Sequence, residues 1–129
     1  MTSRPELTQT FCKVLKSFLD DMYASYPDTS LYMLIKTTEM MIAANPASVV
    51  ENFMFCIEPY IEKIKNKDIS FFLDGGLENS IKEGPYTFLL DELKKISNIW
   101  KNPKTSNKTK ESIWKYFQIL ETLGTKLKK

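Results

Sequence analysis

The side chains available for chemistry in this chain of 129 residues are carboxylates, lysines and aromatics, because histidine is absent. Without it the commonest general acid/base, the commonest zinc ligand and any Ser-His or Cys-His nucleophile pair are missing. Carboxylates remain as the adjacent pairs Asp20-Asp21 and Asp91-Glu92, and as Asp74 and Glu78, which stand at i and i+4 beside Gly75-Gly76. Two acids do acid/base or metal work only when both enter one pocket that perturbs them. Neighbours on a helix diverge by roughly 100°, so the adjacent pairs read as solvated helix faces. Asp74 and Glu78 come nearer to a metal-binding spacing but lack the alternating oxygen ligands of an EF-hand loop. Gly75-Gly76 reads as a turn, since a phosphate cradle needs a longer glycine spacing that ends in Lys-Ser/Thr, or a preceding strand. The expectation is a protein that is not an enzyme, with no cofactor and no metal.

Two further constellations concern binding. Trp100 and Trp114 flank the stretch KNPKTSNKTK and, with Tyr116 and Phe117, form the expected partner-binding set, on which a protein could anchor or bases could stack. Against it stands a core reading: aromatics at helical spacing more often pack inward, and a helical hairpin would bring the two tryptophans together. Tyr116 departs from the stripe of Ile113, Phe117 and Leu120 and is the stronger surface candidate. Charge supplies the second constellation. Residues 101–129 hold eight lysines against Glu111 and Glu121, a net +6 in a chain of net +2, which leaves −4 on the preceding hundred residues. Such a basic end on an acidic body suits nucleic acid, an acidic protein or a second copy of the chain. Lys101, Lys104, Lys108, Lys110 and Lys115 are the candidate phosphate contacts. The sole arginine is Arg4, and a set of lysines without guanidinium forks supports only a salt-sensitive, non-specific contact.

The elements that must position these residues are helices. Ser3, Pro5 and Glu6 compose a capping box, followed by Leu7, Phe11, Val14, Leu15, Phe18 and Met22 at spacings of three and four. Tyr26-Pro27 stops that helix, because the residue before proline is pushed out of the α region. Asp28, Thr29 and Ser30 offer caps for a second helix with Leu31, Leu34, Ile35, Thr38, Met41 and Ile42 on one side. Asn45-Pro46 opens a third, carrying Val49, Val50, Phe53, Met54 and Ile57, and Pro59 should break it near Ile57. In NKDISFFLDGGLENSIKEGP, Asp68 is expected to cap a short turn burying Phe71, Phe72 and Leu73. Phe88, Leu89, Leu93, Ile96 and Trp100 then recur at helical spacing until Asn102-Pro103. Ser106 or Thr109 caps a last helix whose stripe is Ile113, Trp114, Phe117, Leu120, Leu123 and Leu127. Gly124 falls near its end, where glycine is cheap, and Lys126, Lys128 and Lys129 suit the negative end of its dipole. No alternating strand pattern appears. The expected fold is all-α, a single-domain bundle of five to seven helices over residues 1–129, a length that buries roughly two-thirds of the unfolded surface.

Cys12 and Cys56 both fall in apolar helical patterns and read as reduced core thiols. No signal-peptide pattern is present, and no apolar stretch approaches the roughly 20 residues of a bilayer span. An intracellular protein with no membrane partner is expected.

The pairing of PYIEKIKNKDISFFL with ISNIWKNPKTSNKTKESIWKYFQIL resembles a group of small all-helical uncharacterised proteins of nucleocytoplasmic large DNA viruses. In that group a lysine-rich NKD-type turn precedes two aromatics, and a Trp-containing helix leads through a polar loop into an IWKYFQ-like closing helix. The resemblance covers roughly residues 45–127, while the Gly75-Gly76 loop and Pro103 depart from it. It implies a viral protein used in the host cytoplasm, the virus factory or the virion, and it brings no catalytic residues.

Together these features point to a non-enzymatic helical module that binds a protein partner or itself through an apolar, aromatic surface. A nucleic-acid accessory protein using the lysine-rich third is the alternative. If partner binding is the function, a large apolar patch should stay exposed on the isolated chain.

Overall fold

The computed structural model describes residues 3–27, 29–68 and 98–128, apart from the side chains of Ser30 and Cys56. Among them the architecture is all-α, as the periodicity predicts: α1 (Arg4–Ser25), α2 (Thr29–Ala44), α3 (Pro46–Ile57), α4 (Ile61–Lys65) and α5 (Asn107–Lys128). Residues 98–101 are also helical. The expectations for Asp28, Asp74, Glu78, the Gly75-Gly76 turn, Asp91-Glu92 and the aromatic segment of residues 71–96 lie outside the described residues.

The start signals act as written. Ser3 Oγ accepts the Glu6 N–H at 3.3 Å, and Pro5 occupies the first turn of α1. Asn45 caps α3 by accepting the Ser48 N–H on Oδ1 at 3.4 Å, with Pro46 opening the helix. Of the two candidate caps for α5 it is Ser106 that acts, its Oγ accepting the Thr109 N–H at 3.1 Å. Pro59 breaks the helical path where expected: α3 ends at Ile57, one 3-10 turn covers Glu58–Tyr60, and α4 follows.

The short α4 closes in a Schellman turn, with Asp68 N–H donating to Lys63 C=O at 2.8 Å and Lys67 N–H to Ile64 C=O at 3.3 Å. The left-handed position of that turn, usually glycine, is held here by Lys67 at φ 53°.

α5 is the central helix, packed on α1, α3 and α4. Arg4 and Thr8 at the start of α1 border Leu127 and Lys128, while Met22 and Ser25 at its end border Lys108 and Thr109, so α1 and α5 run antiparallel. Their shared stripe is the core. Phe18 meets Phe117 edge-on at 5.6 Å, Phe53 lies 6.0 Å from Phe117, and Phe11 meets Phe53 edge-on at 5.4 Å. Phe11, Met54, Ile57, Ile64, Ile113 and Leu120 are sealed around these rings.

Gly124 is not merely tolerated near a helix end. It is buried against α3, and a Cβ there would fall 2.7 Å from Met54 Cγ and 3.2 Å from its Cε. The missing side chain is what lets the two helices approach.

α2 is the outer layer. It packs on α1 and α3 through Leu31, Ile35 and Thr38, which are buried. Cys12 is buried and free, its thiol pushed up by burial and directed at the Pro46 carbonyl at 3.8 Å.

Candidate interaction surfaces

Three of the four expected partner-binding residues belong to the core. Trp100 is 6% exposed, Trp114 2% and Phe117 2%, and the two indoles meet edge-on at 5.4 Å, as a helical hairpin would bring them. Their role is corrected on that ground, because a sealed side chain offers a partner almost no area to bury. The reason is geometric: Ile113, Trp114, Phe117 and Leu120 all lie on the arc of α5 that α1, α3 and α4 cover.

Tyr116, the fourth, lies on the margin of that arc and is half-buried. Its ring stacks at a tilt on Phe18 at 5.2 Å, and its hydroxyl donates a short hydrogen bond to Asp21 Oδ2. The carboxylate accepting that proton, together with desolvation and the nearby negative charge, pushes the phenol up to about 12. Tyr116 and Asp21 thus form a clamp between α1 and α5. Asp20 is exposed beside it, so the adjacent acids diverge as helix geometry requires.

Of the five candidate phosphate-binding lysines, two line one groove. Lys108 and Lys115 share a shallow groove of about 310 Å³ with Lys67, Ser112 and Gln118, but Glu111 also lines it and pairs with Lys67 at 2.9 Å. Lys110 points elsewhere, its ammonium 5.7 Å from the centre of the Trp100 ring. Lys101 ends the helical segment of residues 98–101 and Lys104 lies in the connection to α5, both exposed.

That connection is pinned from below by Thr105, which periodicity does not single out. Its hydroxyl donates to Ile99 C=O at 2.6 Å and accepts from Tyr26 OH at 3.2 Å, and the residue is 6% exposed.

A buried carboxylate was not expected either. Glu121 is 3% exposed on the core side of α5. Its Oε1 accepts from Thr125 Oγ1 at 3.1 Å and lies 3.8 Å from Lys65 Nζ, so the charge is answered from α4 and from its own helix. Gln118 adds a second link by donating to the Ile64 and Lys65 carbonyls at 3.2 and 3.3 Å. Both residues therefore dock α4 onto α5. Among the described residues no group of three or more His, Cys, Asp or Glu side chains could hold a metal ion, and no helix is long and apolar enough to cross a membrane.

Among the described residues, the large apolar side chains left open lie mainly on α2: Met40 is 73% exposed, Met33 56% and Tyr32 45%. Viewed down the helix, Thr29, Met33, Thr37, Met40 and Ala44 recur every three or four residues, and all are exposed. They form a seam opposite the one that packs on α1 and α3.

The nearest charge on this face is Lys36. Its ammonium sits 5.4 Å from the Tyr32 ring centre and 3.7 Å from Glu39, whose other oxygen lies 3.6 Å from Lys16. The seam thus carries Met33 and Met40 on either side of Thr37, with two lysines sharing one carboxylate at its edge.

A sequence signal for it exists in the run Met40-Met41-Ile42. Three consecutive large apolar residues on a helix span more than one face, so at least one must look away from the core.

Phe55, 52% exposed, borders a second depression of about 390 Å³ floored by Val50, Met54 and Leu127, whose rim is bridged by Lys128 and Glu58 at 2.9 Å. No family model, curated protein or solved structure matches the chain, so these surfaces are interpreted from their own chemistry.

Proposed function

We propose that the chain is a non-enzymatic helical interaction module that binds a protein partner or itself, and that the working surface is the outer face of α2. One observation carries this reading: Met33 and Met40 stand more than half exposed at the centre of a seam whose nearest cation is already paired. Apolar side chains grouped on one face and rimmed by polar residues are the usual mark of a docking site. Methionine suits such a site because its unbranched, polarizable side chain adapts to a facing surface. The setting we propose, an infected cell in which this is a viral protein, is supported by the sequence resemblance alone.

The test is affinity capture from the native cell, comparing the unaltered chain with a Met33→Glu/Met40→Glu variant whose helicity and melting temperature are unchanged. A partner retained by the first and lost by the second is expected. Equal capture by both contradicts the assignment to α2.

The second reading, a nucleic-acid accessory role, draws on the groove shared by Lys67, Lys108 and Lys115. With Glu111 inside that groove and Lys110 turned toward Trp100, the contact would be non-specific, and this reading predicts retention that falls as salt rises. Retention on nucleic acid that survives Lys108→Glu/Lys115→Glu would dispose of it.

A further inference from the structure

α5 meets its neighbours through two stripes of opposite chemistry. Ile113, Phe117, Gly124 and Leu127 lie on the side that packs against α1 and α3, among Phe18, Met22, Phe53 and Met54. Glu111, Gln118 and Glu121 lie on the side that meets α4 and its closing turn. Glu111 pairs with Lys67 at 2.9 Å, Gln118 donates to the Ile64 and Lys65 carbonyls, and Glu121 Oε1 stands 3.8 Å from Lys65 Nζ. Ile64, which is sealed, is the apolar anchor of α4.

α4 does not support itself. Its five residues make little more than one turn, and a helix so short does not persist in water without docking. The helical path breaks at both its ends: at the 3-10 turn of Pro59 before it, and after it at the turn whose left-handed position Lys67 holds. The first of these breaks uncouples α4 from α3.

Glu121 works against that docking. It is buried with one close hydrogen bond, from Thr125 at 3.1 Å. Its counter-ion, Lys65, is half exposed and too far away to donate a hydrogen bond to it. A buried carboxylate answered so loosely keeps much of its desolvation cost, and water reaches it as soon as α4 lifts. Removing the Lys65 charge leaves that cost with less to offset it.

We infer that residues 58–68 are a latch: they lift from α5 as a unit while α1, α3 and α5 stay packed, and the Lys65–Glu121 pair governs how often. Lifting hydrates Glu121 and frees Gln118, uncovering a polar strip of α5. The latch is independent of the role proposed for α2.

Native-state hydrogen exchange of the full chain, in increasing urea below the unfolding transition, tests this. Asn66 and Asp68 are the reporters, since their N–H groups donate to the Glu62 and Lys63 carbonyls within the docked segment. Both should exchange at least about tenfold faster than the mid-helix amides of Phe18 and Phe117, with little urea dependence until global unfolding overtakes them. Added salt, which screens half-exposed ion pairs, should speed them further. Lys65→Gln should speed them about tenfold, and Glu121→Gln in that background should reverse the effect.

One common rate and one urea dependence for Asn66, Asp68, Phe18 and Phe117 overturns the latch. An acceleration by Lys65→Gln that Glu121→Gln fails to reverse removes Glu121 from its control and overturns the inference as well. The urea series on the unaltered chain decides even where a variant fails to fold.

Discussion

Replacing Gly124 with alanine should destabilise the bundle, against the intrinsic preference of a helix. In an open helix interior the exchange gains about 0.5–1 kcal/mol, since alanine is the better helix former. Here the new methyl arrives 2.7 Å from Met54 Cγ. That carbon lies near the root of the side chain, so rotating the thioether end does not clear it. Met54 is 2% exposed and packed in the core beneath the depression beside Phe55, so a shift at its root must displace packed neighbours. Overpacking of this kind costs about 1–3 kcal/mol, so the net loss should be about 1 kcal/mol.

Truncating the neighbour should reverse the sign. In a Met54→Ala background the methyl enters the space vacated, and Gly124→Ala should gain about 0.5–1 kcal/mol, a coupling of roughly 2 kcal/mol between the sites. Urea denaturation at 25 °C, followed by the fluorescence of the buried Trp100 and Trp114, measures all four corners of the cycle. A stabilising Gly124→Ala in the unaltered chain, or the same effect in both backgrounds, would refute the close approach of α3 and α5.

Other expectations concern single groups. Spectrophotometric titration should find one phenol ionising near 12 rather than 10, and Asp21→Asn should return it toward the ordinary value. Because the folded state holds that proton and the unfolded state releases it near pH 10, the Tyr116 contribution is complete below pH 10. It should fall as pH rises toward 12, which denaturation at pH 9 and pH 11 checks. At the end of α4, Lys67→Gly should leave the protein about 1 kcal/mol more stable than Lys67→Ala. Both lose the pair with Glu111, and only alanine keeps a Cβ at φ 53°. Trp114→Ala should cost about 3–5 kcal/mol by opening a cavity beside Trp100, so any binding it abolishes should disappear together with the cooperative unfolding transition.

What could be read from the chain and what could not divide along a physical line. Helix starts are local events: Ser3 with Glu6, Asn45 with Pro46 and Ser106 with Thr109 close rings of a few residues, and each cap forms as its neighbours dictate. The stripes are local as well, so the buried sides of α1, α3 and α5 follow from spacing. Long-range geometry is different. Gly124 matters because Met54 lies across from it, and nothing near Gly124 in sequence announces that. Glu121 sits on the core arc with Phe117 and Gly124, and a glutamate there passes for surface charge until Lys65 is found beside it.

The candidate site moved for the same reason. Periodicity marks Trp100, Trp114 and Phe117 as large and aligned, but whether an aligned aromatic is covered depends on what packs over it, and α1 and α3 do. Met33 and Met40 look like irregularities in a helix whose other side already has a stripe. They become a surface only once α2 is seen to lie outermost.

The central claim is that, among the described residues, the outer face of α2 is an open apolar surface and the aromatic stripe of α5 is closed. Peroxide oxidation of the dilute native chain, followed methionine by methionine by mass spectrometry, tests it most directly, because sulfoxide formation tracks exposure. Met40 and Met33, at 73% and 56% exposed, should oxidise far faster than Met22 and Met54, at 3% and 2%. Comparable rates at all four, or protection of Met33 and Met40 in the dilute chain, would contradict it.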